Sequence, residues 1–163
     1  MLETQLVMYE EDHRRILAVL EKLADSAHAK GLFLLDKNGQ LLCQAGELIS
    51  LDTTSLASLA AGSIAATGGL AKLIGEDEFP VHFYQGQRDH LHINVVAQRF
   101  ILVVIFDDRS SLGLVRLRVR RAADELGRVL EEVVKQTGRS SDVEAAAPFN
   151  DITDEDIDNL FSR

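Results

Sequence analysis

The spacing of apolar residues along the chain predicts three long helices and five strands. Apolar positions recur with helical spacing over about residues 6–28, 53–75 and 110–136. Short apolar runs and period-two alternation indicate strands between these helices. The predicted strands lie at residues 32–35, 41–45, 79–86, 90–97 and 100–106.

The residues of the first turn and the apolar last strand predict that the strands form one sheet. Asn38 and Gly39 fall between the first two strands, and both residue types tolerate the positive φ of a tight turn, so we expect a hairpin there. Residues 100–106 are apolar throughout, which predicts a central strand covered on both faces. The order α-β-β-α-β-β-β-α predicts an α/β protein of the α+β sandwich type, with one five-stranded antiparallel sheet between helices.

The second predicted helix has few large side chains. Between residues 57 and 71, twelve of fifteen residues are Ala, Gly, Ser or Thr, and a glycine inside a helix costs about 1 kcal/mol relative to alanine. We expect the large residues to face the sheet and the small ones to form a flat surface for another protein. Tight packing within the domain, or against a second copy, explains the same pattern. The residues expected to face the sheet are Leu56, Leu59, Ile64, Leu70 and Leu73, and those expected to face the partner are Ala57, Ala61, Ala65, Gly68, Gly69 and Lys72.

The last part of the chain differs from the rest. Residues 1–137 are predicted to form the folded domain, and residues 138–163 a flexible acidic tail. Thr153 is a good N-cap for a short helix over about 153–161, and acidic residues follow in its first turn, where the helix dipole favours them. So short a helix is unstable alone in water. We therefore expect it to fold against a partner through Ile157, Leu160 and Phe161.

Composition and charge narrow the class of protein. The chain has 163 residues, a net charge of −9 and one cysteine, so no internal disulfide can form and a cytoplasmic location is expected. Seven acidic residues against two arginines place −5 on residues 138–163 and leave −4 on residues 1–137. No basic arm indicates nucleic-acid binding. Neither a signal peptide nor a run of about 18 apolar residues indicates membrane insertion.

A search for catalytic chemistry identifies no active site. The sequence contains no Walker, dinucleotide-binding, zinc-protease or paired-cysteine motif, and no cofactor is implied. Cys43 lies in a strand without neighbours that would lower the pKa of its thiol. His82, His90 and His92 are the best metal candidates. A half-exposed polar strand face, or a strand edge that pairs with another subunit, is the simpler explanation of these histidines.

Arginines on the last helix are a second candidate for binding. Arg116, Arg120 and Arg121 are spaced to share one broad helix face. This basic strip is either a solvated exterior or a contact for an acidic partner.

Several segments, distributed over nearly the whole chain, carry a family resemblance. They are TQLVMYEED, LDKNGQL, DTTSLASLAAGSIAATGGLAKLIGEDEFP, LVVIFDDRSSLGLVRLRV and ITDEDIDNLF. Together with the element order, they resemble the Roadblock/LC7 family and, within it, the MglB-type regulators of bacterial gliding and polarity.

The resemblance implies a homodimer whose sheets join edge to edge, with the second helices side by side on one face. That face binds one small Ras-like GTPase of the MglA type and accelerates GTP hydrolysis, so the chain is expected to be a cytoplasmic GTPase-activating protein, located in some cases at a cell pole. The family is not thought to insert an arginine finger. Its C-terminal segment makes a second contact that influences nucleotide exchange.

Other functions remain as alternatives. A generic Roadblock/LC7 dimer would act as a scaffold for another signalling NTPase without activating it. A small-molecule sensor would need a roomy pocket, which the aromatic residues of the sheet are expected to fill, and an enzyme would need an active site. If an arginine finger came from this chain, the candidates are Arg14, Arg15, Arg116, Arg120 and Arg121.

Overall fold

The computed structural model describes residues 6–47 and 50–150, and side chains as far as Arg139. Within this part of the chain, the elements follow the predicted order of helices and strands, and one antiparallel sheet holds the five strands, so the predicted fold class is confirmed. The elements are α1 (Glu10–Ala27), β1 (Gly31–Asp36), β2 (Leu41–Gly46), α2 (Thr53–Leu73), β3 (Val81–Tyr84), β4 (His90–Val96), β5 (Phe100–Phe106) and α3 (Leu112–Asn150).

The strands are ordered β2-β1-β5-β4-β3, so that β5 is central and β2 and β3 form the edges. The predicted hairpin joins β1 to β2. Its turn is closed by Asp36, whose Oδ1 accepts the backbone N–H groups of Asn38 and Gln40 at 2.9 and 3.0 Å. Gly39 occupies the turn with a φ of +87°, a conformation that favours glycine.

Strand β5 is buried on both faces, as its continuous apolar run predicts. Alternate residues belong to two different cores, because successive side chains of a strand point to opposite faces. Phe100, Leu102, Val104 and Phe106 pack with α1 and α3, whereas Ile101, Val103 and Ile105 pack with α2.

Helices α1 and α3 together cover one face of the sheet. The predicted apolar seam of α3 is confirmed, because most of its members are buried. The segment before α1 also joins this layer, since the backbone N–H of Val7 donates to Thr137 Oγ1 at 2.9 Å. The buried seam residues of α3 are Val115, Val119, Leu126, Val129 and Val133.

Helix α3 is longer than the sequence pattern predicts. It continues to Asn150, whereas the apolar seam predicts an end near residue 136 and a linker over 138–148. The physical reason is that residues 143–147 include Glu and three alanines, which are strong helix formers and need no apolar seam to continue a helix. The predicted helix over 153–161, with Ile157, Leu160 and Phe161, lies outside the described residues, and the division of the chain at residue 137 remains a prediction.

Candidate protein interface on helix α2 and strand β3

Helix α2 begins with a side-chain cap and presents small residues to the sheet. Asp52 accepts from the backbone N–H of Ser55 at 3.0 Å and from its hydroxyl at 2.6 Å, and the hydroxyl hydrogen bond lowers the pKa of the Asp52 carboxyl. The inner face of α2 then packs against the core on that side of the sheet. The buried inner-face residues in this core are Ala57, Ala60, Ala61 and Ile64.

This packing corrects the predicted orientation of the helix. The exposed fractions of Leu59, Leu70 and Leu73 are 74%, 58% and 83%, so these leucines point away from the sheet. Ala57 and Ala61, expected to face a partner, are only 1% and 7% exposed. The reason is steric, because alanines let the helix lie close to the large side chains of the strands below it. Hydrophobicity alone cannot distinguish a face turned to the chain's own core from one turned to another chain.

The glycines of α2 lie in open space. A Cβ added to Gly62, Gly68 or Gly69 would meet no atom within 4 Å. Nothing in the described part of the chain therefore requires glycine at these positions, although each lowers helix stability by about 1 kcal/mol relative to alanine. Because these glycines have no side chains, the outer surface of α2 is flat between Leu59 and the Leu70–Leu73 end of the helix.

A second exposed feature lies at the edge strand β3. Within the described residues, α2 approaches β1, β2 and β5 but not β3 or β4. This leaves one face of the β3–β4 half of the sheet without a helix of its own chain. Tyr84 of β3, on the α2 side of the sheet, is 44% exposed, and Val81, on the α3 side, is 46% exposed. The outer face of α2 and the edge strand β3 are thus two candidate interfaces, each with exposed apolar residues.

The predicted partner-binding residues separate into different parts of the fold. Ala65, Gly69 and Lys72 are exposed on α2, and Gly68 is partly exposed. Arg116 and Arg120 are exposed on α3, on the opposite side of the sheet, so one flat partner surface cannot cover both groups. The residues missed from the sequence are exposed apolar ones, and for those on α2 the helical spacing was the available signal. They are Leu59, Leu70, Leu73, Ile74, Val81 and Tyr84.

The three candidate histidines do not converge on one site. Strands β3 and β4 pair so that His82 is opposite Ile93 and Phe83 is opposite His92. His82 therefore points to the α2 side of the sheet, whereas His90 and His92 point to the α3 side. His82 Nε2 contacts the carbonyl oxygen of Phe79 at 2.8 Å. The described residues contain no group of three His, Cys, Asp or Glu side chains placed to hold a metal ion.

Cys43 and His92 are both buried. Burial raises the pKa of the Cys43 thiol, which therefore stays protonated and weakly nucleophilic at neutral pH. Burial, assisted by the nearby charge of Arg116, lowers the pKa of His92 to about 4. The two ring nitrogens of His92 have no hydrogen-bond partner among the described side chains and backbone.

Known proteins match this fold and sequence closely. A family model described as the Roadblock/LC7 domain matches residues 15–106. The chain belongs to the Roadblock/LC7 family. The structure of Myxococcus xanthus MglB is 57% identical to it, with 78% of this chain and 96% of that chain covered and a TM-score of 0.74.

Two further Roadblock/LC7 structures are similar. The gliding protein MglB from Thermus thermophilus is 35% identical, with coverage of 80% and 99% and a TM-score of 0.75. A structure described as MglB with tetrameric arrangement is 35% identical, with coverage of 81% and 99% and a TM-score of 0.75. No curated protein sequence matches the chain.

Helix α2 is long and apolar enough, by length and composition, to cross a membrane, with a mean hydropathy of 1.3 over its most apolar window. The inner face of α2 packs against the sheet. The exposed apolar residues of α2 are accordingly better explained by a protein contact.

Proposed function

We propose that this protein is a homodimeric regulator of the MglB type that binds a small Ras-like GTPase of the MglA type and accelerates its GTP hydrolysis. Its relatives of known structure are regulators. The match with this chain covers nearly the whole length of the MglB structures among them. The protein would act in the cytoplasm, and the GTPase would supply the active site.

One observation carries this proposal: the outer face of α2 has glycines that the chain itself does not need. A surface without side chains lets a partner's backbone approach closely, and it loses little rotamer entropy when it is buried. Ala65, Gly68, Gly69 and Lys72 would form the centre of the contact. The exposed leucines at either end would fill apolar pockets of a partner or of a second copy.

Self-association would double this surface. Antiparallel pairing of two copies at the edge strand β3 would join the two sheets edge to edge and place both α2 helices on the same face of the joined sheet. The similarity to MglB, including a structure described as a tetrameric arrangement, supports a Roadblock-type oligomer.

The positions of the arginines favour catalysis by the GTPase's own residues. The five candidates for an arginine finger all belong to α1 or α3, across the sheet from α2. Two of them are engaged at the surface, since Arg14 pairs with Glu10 at 2.9 Å and Arg15 with Glu132 at 2.8 Å. A GTPase on the α2 face would not be reached by these side chains. The chain would then act by positioning the switch regions of the GTPase, which suffices because phosphoryl transfer depends on positioning and electrostatics.

The decisive experiment measures phosphate release from the small GTPase of the same genome, with and without the full chain. Gly68→Arg places a long charged side chain on the proposed contact, where the free chain has open space. We expect it to remain folded and to lose at least about tenfold in stimulated hydrolysis, because the partner's backbone can no longer approach.

Gly138→Arg is the matched control, because Gly138 is also a helical glycine with nothing within 4 Å of its would-be Cβ. It should stimulate hydrolysis as the unmodified chain does. Full stimulation by Gly68→Arg would contradict this placement of the interface. Binding of the GTPase without any acceleration would favour the alternative of a Roadblock/LC7 scaffold.

A further inference from the structure

A groove runs between α1 and α3, on the side of the sheet opposite the proposed GTPase contact. It consists of two adjoining depressions of about 230 and 610 Å³ that share Val19, Lys22, Arg121 and Glu125. Along α1 it extends from Arg15 to Ser26, about 16 Å at the rise of an α-helix.

The floor of this groove is apolar and its walls are basic. Val19, Leu23 and Val129 are buried beneath it and expose only a few per cent of their surface. Five cationic and two acidic side chains line it, although the domain as a whole carries an excess of acid. The cationic residues are Arg15, Lys22, Arg118, Arg121 and Arg128, and the acidic ones are Glu125 and Glu132.

The cations are only partly neutralised within the chain. Among the described side chains, Arg15 is the one of the five that forms an ion pair, with Glu132 at 2.8 Å. The Nε of Arg118 is buried and has no hydrogen-bond partner among the described residues. A buried donor without an acceptor is costly, so an anionic group entering the groove would be stabilised there.

We propose that this groove binds the acidic C-terminal segment, residues 151–163, of a second copy of this chain. That segment has five acidic residues and one arginine, so its charge is opposite to that of the groove. Its predicted helix over 153–161 would be about 13 Å long, which matches the groove. Ile157, Leu160 and Phe161 would cover the apolar floor while the acidic residues reach the arginines.

The length of α3 excludes the chain's own segment as the occupant. Helix α3 ends at Asn150, 18 residues beyond Glu132 at the near end of the groove, a distance of about 27 Å along the helix. When residues 153–161 form the predicted helix, Phe161 lies at most about 23 Å from Asn150, because the three residues from Asn150 to Thr153 span about 11 Å when extended and the eight helical steps to Phe161 add about 12 Å. The apolar residues therefore cannot lie along the groove of their own copy, whereas a second copy has no such restriction.

The test uses the full chain and a carbodiimide, which joins a lysine amine to a carboxylate in direct contact. Unlabelled and ¹⁵N-labelled chains are mixed until their subunits have exchanged, and the products are digested and analysed by mass spectrometry. We expect a mixed-isotope link from Lys22 to an acidic residue within 154–158. Arg121→Glu should reduce its yield by about tenfold at low salt, because reversing one charge removes an attraction and adds a repulsion.

Arg99→Glu is the control, since Arg99 is an exposed arginine on the turn between β4 and β5, away from the groove. The yield of the Lys22 cross-link in this variant should equal the yield in the unmodified chain. Links from Lys22 that are never isotope-mixed would show docking on the same copy and overturn the proposal. Absence of the link, or equal losses for the two arginine variants, would overturn it as well. Because no GTPase is present, these outcomes are independent of the proposed activation.

Discussion

At the scale of single residues, the glycines of this chain serve two different purposes. Gly39 has a φ of +87°, and a Cβ there would lie 3.2 Å from the Cα of Ser58, where the hairpin turn touches α2. Gly69 has an ordinary helical backbone and open space around it. The fold needs the first glycine, whereas nothing in the described residues requires the second.

Substituting alanine at these two positions separates the two purposes. Gly39→Ala should lower the free energy of unfolding by more than about 1 kcal/mol, because alanine is strained at that φ and crowds the backbone of α2. Gly69→Ala should raise it by about 1 kcal/mol, because alanine is the better helix former. Urea unfolding followed by circular dichroism measures both. Destabilisation by Gly69→Ala would mean that the fold itself uses this glycine.

His92 is a residue whose burial has a consequence for acid stability. It is 2% exposed in β4, with Phe83 and Val104 opposite it on the neighbouring strands and the charge of Arg116 nearby. Its pKa falls from 6.5 to about 4 in the folded chain. Between these two values the unfolded chain binds a proton that the folded chain does not, so stability decreases as the pH falls through this range.

Replacing His92 by leucine should remove this contribution. We expect His92→Leu to unfold at higher urea than the unmodified chain at neutral pH, because two buried nitrogens without partners are removed. The advantage should grow on acidification from about pH 6.5 to about pH 4, by up to about 1.4 kcal/mol per pH unit.

Urea titrations at several pH values measure the effect. His13→Leu, at an exposed position of α1, controls for the loss of a histidine elsewhere. A difference between His92→Leu and the unmodified chain that stays constant with pH would contradict the assignment of the titrating group.

At the scale of elements, the strands could be predicted better than the faces they present. The seven apolar residues of β5 identify a central strand, because only a strand covered on both faces tolerates them. The alternation of apolar and polar residues does not determine the strand order or the pairing register. A shift of one residue in the register turns every side chain of the strand to the opposite face. This is why His82, grouped with His90 and His92 as a metal candidate, lies on the other side of the sheet from them.

Helix α2 shows the limit of hydrophobic patterning more clearly. Its existence follows from the sequence, but its orientation does not. Large apolar residues normally mark the buried face, and here the buried face is mostly alanine while Leu59 and Leu73 are exposed. The pattern is that of a helix with two apolar faces, and the sequence of one chain does not state which face belongs to a second chain.

At the scale of the whole molecule, the edge strand β3 is where two copies would meet. The backbone N–H of Val95 donates to the carbonyl oxygen of Pro80. Because hydrogen-bonded pairs alternate along an antiparallel ladder, the N–H groups of Val81 and Phe83 point away from the sheet. They are available for pairing with a second β3, and Val81 and Tyr84 add exposed apolar surface at the same edge.

Val81→Pro removes one outward N–H and leaves the ladder between β3 and β4 intact. A symmetric pair would lose two hydrogen bonds and leave two acceptors unpaired, so we expect the dissociation constant of the dimer to rise about tenfold or more. Sedimentation velocity over a range of concentrations measures it. Val81→Ala shortens the same side chain but keeps the N–H, so its dissociation constant should remain closer to that of the unmodified chain. If Val81→Pro associates as tightly as the unmodified chain does, the copies do not pair through β3, and the two α2 helices cannot be brought together in the proposed way.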